Sequence, residues 1–262
     1  MAAAKQRSSS PARRSSPWPP ALSWALRGGW FSVDGESLSG GSIVVVDFFT
    51  DTIFGGHLGC RDYLEVYETS GDNLTVHSEA TFDAGYRMAC TNSRQEAQAH
   101  GVLSDKAGLR LAEGQLAILG EKGPVLVFDP LPEEADLDLE GTTWSLLAFV
   151  GPNPYVEKPD PWPFPLSVMS GTTIDLTLEG GAARGSAGCN SYGASYSRAG
   201  SSLTFAAITS TEKACLDPEG LMKQEVHYQE LLPGVTAFRI YGDHLWLDTG
   251  NGQALVFFAS GQ

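Results

Sequence analysis

Hydrophobic and polar positions alternate in short runs over the second half of the chain, which predicts a sheet of short strands. Ile174, Leu176 and Leu178 occupy every second position between residues 172 and 179, the period of a strand with one buried face. Further apolar runs cover residues 145–150, 192–196, 203–205, 238–240, 245–247 and 254–259. Asn251-Gly252 separates the last two runs, and this dipeptide is a strong hairpin signal.

One helix is predicted between the strand around residue 205 and the strand around residue 238. Asp217 is the expected N-cap with Pro218 at the first helical position, and Pro233 ends the helix. Its apolar stripe consists of Leu221, Tyr228, Leu231 and Leu232. The helix is therefore expected to pack one face against the sheet.

Two cysteine-containing segments repeat the same residue pattern 129 residues apart. The sequence GHLGCRDY at 56–63 matches GSAGCNSY at 185–192, and LVF recurs at 126–128 and 255–257. Such self-similarity predicts two tandem copies of one domain, with insertions in loops. The predicted boundaries are a basic Ser/Pro-rich disordered tail at 1–25, a first domain at 26–129, an acidic linker at 130–140 and a second domain at 141–262.

The two copies differ in their helix and in one insertion. The helix of the first copy shrinks to about residues 94–100, while the second copy contains an additional segment at 152–165 with six prolines. Prolines favour an extended path, and extended Pro/aromatic segments serve in recognition. Tyr155, Trp162 and Phe164 are the candidate recognition residues of this loop. The alternative is a loop that folds back as a lid over one end of the domain.

The charge of the chain excludes some partners. Net charge is −14, and the five basic residues of positions 1–33 leave 12 basic and 31 acidic residues in the remainder. The remainder of the chain is therefore acidic enough to repel the phosphates of nucleic acid and of anionic membrane surfaces. No segment is long and apolar enough for a membrane span, and the apolar stretch at 21–26 is too short for a clear secretory signal.

The four cysteines fit either of two states. If each copy folds by itself, the pairs are Cys60–Cys90 and Cys189–Cys215, and such disulfides indicate an oxidising compartment. The alternative is four buried thiols in equivalent core positions. Metal binding is disfavoured, because each cysteine lacks a second ligand at the spacing of zinc sites.

The sequence displays no catalytic constellation. Cys189 follows a glycine, as an exposed nucleophile can, but the five histidines do not align between the copies, so a paired base is missing. Asn190 is expected to cap a turn with its side chain. Glu225, His227 and Glu230 are expected on a solvated helix face, without the second histidine of a zinc site. We predict neither an enzyme nor a cofactor-binding protein.

The second copy resembles the META domain, the HslJ-like family of bacterial heat-inducible and envelope proteins. The residues that carry the resemblance are Trp144, Gly188, Asn190, Tyr192, Thr211, Gln224 and Glu225, together with both cysteines of this copy. The first copy resembles the family less, because Arg61 replaces the asparagine and Tyr86 the threonine. The resemblance implies an α+β fold, a curved antiparallel sheet with one packed helix in each domain, and neither catalysis nor a cofactor.

The sequence predicts a non-enzymatic protein of the envelope, periplasm or secreted space, either stress-associated or an interaction module. Its partner would be an unknown protein or a small hydrophobic ligand. The alternative function is a carrier of a small molecule or lipid, whose pocket the loop at 152–165 would close. An apolar cavity would support the carrier, and an interior filled by side chains would argue against it.

Overall fold

The computed structural model of the protein describes a large part of the chain. The described residues are 32–33, 36–37, 44–50, 52–58, 62–70, 73–77, 82–83, 106–112, 115–120, 125–128, 135–152 and 164–260. Cys60, Cys90, Tyr155 and Trp162, the predicted tail at 1–25 and the predicted short helix at 94–100 lie outside these residues.

The first sheet is antiparallel and contains ten of the described strands. In chain order they are β1 (Ser32–Val33), β2 (Glu36–Ser37), β3 (Val44–Phe48), β4 (Ile53–Leu58), β5 (Asp62–Ser70), β6 (Asn73–Val76), β7 (Phe82–Asp83), β8 (Lys106–Ala112), β9 (Gln115–Gly120) and β10 (Val125–Phe128). The spatial order is β2-β1-β10-β9-β8-β6-β5-β4-β3, and β7 pairs with β5.

The second sheet closes into a barrel. Its strands are β11 (Thr143–Gly151), β12 (Phe164–Ser167), β13 (Asp175–Glu179), β14 (Ala182–Ser186), β15 (Ser191–Ala199), β16 (Ser202–Ser210), β17 (Val235–Tyr241), β18 (His244–Thr249) and β19 (Ala254–Ala259). β11 pairs with β19 along one edge and with β13 and β12 along the other. Eight strands, β11 and β13 to β19, therefore form a closed ring, and closure removes the exposed edges of a sheet.

Large apolar side chains fill the interior of this barrel. Along β13 the buried residues are Leu176 and Leu178, and Ile174 just before the strand is also buried, so all three positions predicted from the alternation are confirmed. The core also contains Trp144, Leu146, Tyr192, Tyr196, Leu203, Phe205, Tyr228, Leu245, Leu247, Leu255 and Phe257. A barrel of about eight strands is just wide enough for its own side chains to fill it.

One helix, α1 (Leu221–Leu231), is present in the described part of the chain, followed by a 3₁₀ turn at Leu232–Gly234. Its predicted apolar stripe is confirmed, since Leu221, Tyr228, Leu231 and Leu232 are buried. The predicted N-cap is wrong: the residue before the helix is Gly220, in the left-handed conformation. Asp217 and Pro218 precede it in an irregular segment. Glycine accepts this conformation without the strain of a Cβ atom.

The two halves of the protein share a small apolar cluster. The cluster unites Phe49, Ile53 and Leu64 of the first half with Leu147, Ala148, Val150, Trp246, Ala254 and Val256 of the second. The ring of Phe49 lies 5.2 Å from that of His244 and 5.5 Å from that of Trp246. The halves therefore bury part of their surface against each other.

Residues of the acidic segment between the sheets contact the barrel. Leu137 donates its backbone N–H to the carbonyl of Gly242 at 3.0 Å, and Leu139 is buried. The sheet-rich architecture, with a single short helix among the residues that the structure describes, agrees with the predicted α+β class in its coarse form. No helix in the described residues is long and apolar enough to cross a membrane.

Candidate functional site

Asn190 is the centre of a buried polar network at one end of the barrel. The residue is 2% exposed. Its Oδ1 accepts hydrogen bonds from the Thr211 hydroxyl and from the Lys213 N–H, both at 2.7 Å. Its Nδ2 donates to the Lys213 carbonyl at 3.0 Å and to Glu225 at 2.6 Å. The expected local turn cap is wrong, because Asn190 joins segments 21 to 35 residues away.

Glu225 completes this network from the helix. Its Oε2 accepts the backbone N–H groups of Cys189 at 3.0 Å and Asn190 at 2.7 Å, and its Oε1 accepts from the Asn190 amide. The side chain belongs to a residue that is only 4% exposed, so the expectation of a solvated position is wrong. A buried carboxylate is tolerated where hydrogen bonds replace the lost water, and three of them do so here.

The predicted pair Cys189–Cys215 is a disulfide, with Cα atoms 5.9 Å apart. It joins the same two segments that Asn190 joins, because Cys189 precedes Asn190 and Cys215 follows Lys213 by two residues. Gly188 before it has φ +113°, and a Cβ there would lie 2.9 Å from Leu221. A glycine is therefore required where this turn approaches the helix.

Gln224 ties the helix to another loop. Its Oε1 accepts the Met169 N–H at 2.6 Å, and its Nε2 donates to the Thr172 hydroxyl at 3.1 Å. The residue is buried. Gln224 and Glu225 are therefore consecutive side chains that anchor α1 to two different loops.

Two tyrosine hydroxyls meet below this network. The hydroxyl oxygens of Tyr192 and Tyr228 are 2.6 Å apart, and the Tyr192 hydroxyl also donates to the Asp175 carbonyl at 3.0 Å. Burial raises the pKa of both phenols above the usual value. Both hydroxyls consequently stay protonated, which suits a structural hydrogen-bonded pair.

The remaining predicted residues are scattered. Trp144 is fully buried in the core and donates its indole N–H to the Leu139 carbonyl at 3.1 Å. Phe164 is the first residue of β12. The structure thus brings together Gly188, Cys189, Asn190, Thr211, Cys215, Gln224 and Glu225, and it places Trp144 and Phe164 elsewhere.

The described residues include a small cleft near the helix. A cleft of about 10 Å³, enough for one water molecule, lies beside Phe149 and His227. Burial lowers the pKa of His227, and nearby Glu230 partly opposes this shift. No group of three possible metal ligands occurs in the described ranges. The carrier alternative stays a prediction.

Sequence reasoning missed Lys213, which contributes only main-chain atoms to the network, and Tyr228, which was recognised only as apolar. A signal for the burial of Glu225 existed. It lies four residues after Leu221 and three before Tyr228, so helical periodicity places it inside the apolar stripe. The network uses the polar atoms of its members to hold main-chain groups, and the thiols are consumed in a disulfide. This arrangement therefore fixes three loops on the barrel, those that contain Met169, Cys189 and Lys213.

Comparison with known proteins gives one family. The META domain family model matches residues 137–262. The NMR structure of a protein from Burkholderia xenovorans is 26% identical to this chain, covers 51% of it and 97% of its own length, and has a TM-score of 0.39. No curated protein matches the chain. The match of the family model supports a META/HslJ-like assignment for residues 137–262.

Proposed function

We propose that the protein is a non-enzymatic interaction module of the extracytoplasmic space, built from two META-like domains. The observation that carries the proposal is the use of the motif residues. Asn190 and Glu225 are buried and satisfied by main-chain partners, and Cys189 is bonded to Cys215. A site whose polar groups are all engaged in holding loops stabilises a surface rather than a reaction.

Strand boundaries support the duplication. Three strands of the first sheet begin and end 129 residues before three of the second: β5 before β15, β8 before β17 and β9 before β18. The spatial order of the second sheet is β12-β11-β19-β18-β17-β16-β15-β14-β13. Position by position, it repeats the order of the first sheet, β2-β1-β10-β9-β8-β6-β5-β4-β3. Unrelated sheets would share neither the order nor the boundaries.

A repeated hydrogen bond gives the same indication. The Tyr63 hydroxyl donates to the Val45 carbonyl at 3.1 Å, as the Tyr192 hydroxyl donates to the Asp175 carbonyl. In both halves a glycine, Gly56 or Gly185, lies where a Cβ would overlap that same carbonyl oxygen. The equivalent tyrosines and the equivalent glycines are each 129 residues apart.

The insertion in the second half falls within one hairpin. Val33 pairs with Glu36 in the first half, and Phe149 pairs with Leu166 in the second. Two residues lie between Val33 and Glu36, whereas sixteen lie between Phe149 and Leu166. The difference corresponds to the proline-rich segment at 152–165. A hairpin loop can be lengthened with little change to the strands that it connects.

The test of the proposal is peptide mapping of the protein from its native host, alkylated before lysis and digested without reduction. We expect the bridges Cys60–Cys90 and Cys189–Cys215, because an oxidising compartment preserves disulfides. Four alkylated thiols would contradict the extracytoplasmic location. A bridge between the halves would contradict the two-domain arrangement. Association with stress stays a prediction, which the protein level after a heat step would test.

A further inference from the structure

The segment 211–219, which connects β16 to α1, is an exposed loop. Its residues form neither helix nor strand, and all except Cys215 and Pro218 are exposed. The side chain of Leu216 is the extreme case, since the residue is 88% exposed. Among the described residues, only Leu216 and Val226 are exposed large hydrophobic residues, and Val226 is 51% exposed. We call residues 211–219 the 211–219 loop.

Fixed contacts hold this loop before and after Leu216. Both main-chain groups of Lys213 are bonded to the Asn190 amide, and Cys215 is bonded to Cys189. On the other side the Pro218 carbonyl accepts the N–H of Leu221, the first residue of α1, at 3.1 Å. Only Leu216 and Asp217 lie between these anchors. A loop held in this way loses little conformational freedom when it binds a partner.

The main chain of the loop is available for pairing at Ala214 and Leu216. Neither Ala214 nor Leu216 forms a main-chain hydrogen bond with any other described residue. Peptide-binding clefts recognise an extended segment by adding it to a sheet edge, and their pockets take alternate side chains. An apolar side chain on a fixed, exposed loop matches the primary specificity pocket of peptidases that cleave after large apolar residues.

We propose that the 211–219 loop is a substrate-like inhibitory loop, which places Leu216 in the apolar primary pocket of a serine endopeptidase. The bond between Leu216 and Asp217 then lies at the catalytic serine. If water hydrolysed that bond, the disulfide would hold the new carboxyl end and the start of α1 would hold the new amino end. Both products would stay in place, so the cleft remains blocked. The inference rests on the proposed function, because the disulfide needs an oxidising compartment.

The experiment titrates the oxidised full-length protein against chymotrypsin and subtilisin, with a small chromogenic peptide as the substrate. We expect stoichiometric inhibition of at least one of these enzymes. Leu216→Ala should weaken the inhibition about 30-fold, the effect of removing a hot-spot side chain. Val226→Ala, which removes the other exposed hydrophobic side chain, is the matched control and should leave the inhibition unchanged.

A change of specificity makes the test sharper. Trypsin prefers a basic residue in its primary pocket, so it should resist the wild-type protein and become inhibited by Leu216→Arg. Leu216→Ala and Leu216→Arg should both fold, because Leu216 is almost fully exposed. Circular dichroism checks this. Absence of inhibition by the wild-type protein, equal inhibition by Leu216→Ala, or rapid cleavage with loss of inhibition would each overturn the inference. If the native cysteines are bridged and no inhibition occurs, only this inference fails; free native thiols would instead contradict the proposed function.

Discussion

Asn190 is the residue on which the polar end of the barrel depends most. One side-chain amide satisfies the N–H and the carbonyl of Lys213, the hydroxyl of Thr211 and one oxygen of Glu225. Few side chains can do this, since only an amide offers two acceptor sites and two donors on a planar group. Aspartate in its place would keep the acceptors, lose the donors and set two carboxylates side by side.

Replacement of Asn190 by alanine should lower the free energy of unfolding by about 3 kcal/mol, because it leaves buried polar partners unsatisfied. Urea denaturation at neutral pH measures the change. Asn73→Ala is the control: Asn73 is exposed and makes one long hydrogen bond to Ser70, so a change of about 0.5 kcal/mol or less is expected. Equal effects of the two substitutions would contradict the structural role of Asn190.

The tyrosine pair predicts a loss of stability in alkali. The pKa values of Tyr192 and Tyr228 are raised in the folded protein by burial, so folding favours the neutral phenols. Stability should be complete below the pKa of about 10 that tyrosine has in an unfolded chain, and should fall as the pH rises above it.

Denaturation midpoints between neutral pH and about pH 11 measure this loss. Replacing both Tyr192 and Tyr228 by phenylalanine should reduce the slope above pH 10 without abolishing it, because burial also raises the pKa of Tyr63. An unchanged slope in the double variant would show that these two phenols do not govern the alkaline response.

The site residues show what a sequence reveals at this scale. The resemblance to the META domain identified most members of the network. The internal repeat did not, because Arg61 stands at the position of Asn190 and Tyr86 at that of Thr211 in the first copy. The resemblance did not identify their partners. Asn190 and Glu225 are 35 residues apart, and only the fold determines which distant groups a side-chain amide or carboxylate meets.

Among the elements, the loops at the end of the barrel have two connections of different kinds. The disulfide joins Cys189 to Cys215, and the Asn190 amide joins the neighbouring residue to Lys213. The covalent connection acts mainly on the unfolded chain by restricting a loop of 26 residues. The hydrogen bonds act on the folded protein.

The variant with both Cys189 and Cys215 replaced by serine should therefore fold and be less stable by about 3 kcal/mol. Circular dichroism would show an unchanged sheet content, and thermal unfolding would show the lower midpoint. Adding Asn190→Ala to this variant should cost more than the sum of the separate effects, because the two connections support the same loops. Additive losses would indicate that the connections are independent.

Elements were predicted from local pattern with uneven success. Alternation located β13, and the Asn251-Gly252 turn connects β18 to β19 as expected, with Gly252 at φ +84°. The start of α1 was misplaced, because Asp217 and Pro218 have the residue types of a helix start but lie in the 211–219 loop. The pairing of β11 with β19 joins residues more than 100 positions apart, and no local pattern encodes it.

For the whole molecule, Phe49 is one of the contacts that join the two halves. Its ring is buried against Tyr241, His244 and Trp246. Replacing Phe49 by alanine should cost about 3 kcal/mol, as for other buried phenylalanines, and should uncouple the unfolding of the halves. Calorimetry should then show two transitions instead of one.

The control for this prediction is Phe257→Ala, which removes a buried ring from the interior of the barrel. It should lower stability by a similar amount while the halves still unfold together. Two transitions in the wild-type protein, or a single one in Phe49→Ala, would show that Phe49 does not couple the halves.

The pairing of β11 with β19 also determines where a barrel can be joined to other chains. Thr143 and Ser260 are adjacent, since the Ser260 N–H donates to the Thr143 carbonyl at 2.9 Å. A module whose entry and exit points are neighbours can be placed between two residues of a host loop without spreading that loop apart. Gene rearrangement could therefore transplant this barrel whole into the surface loop of another protein, and both would be expected to retain their folds.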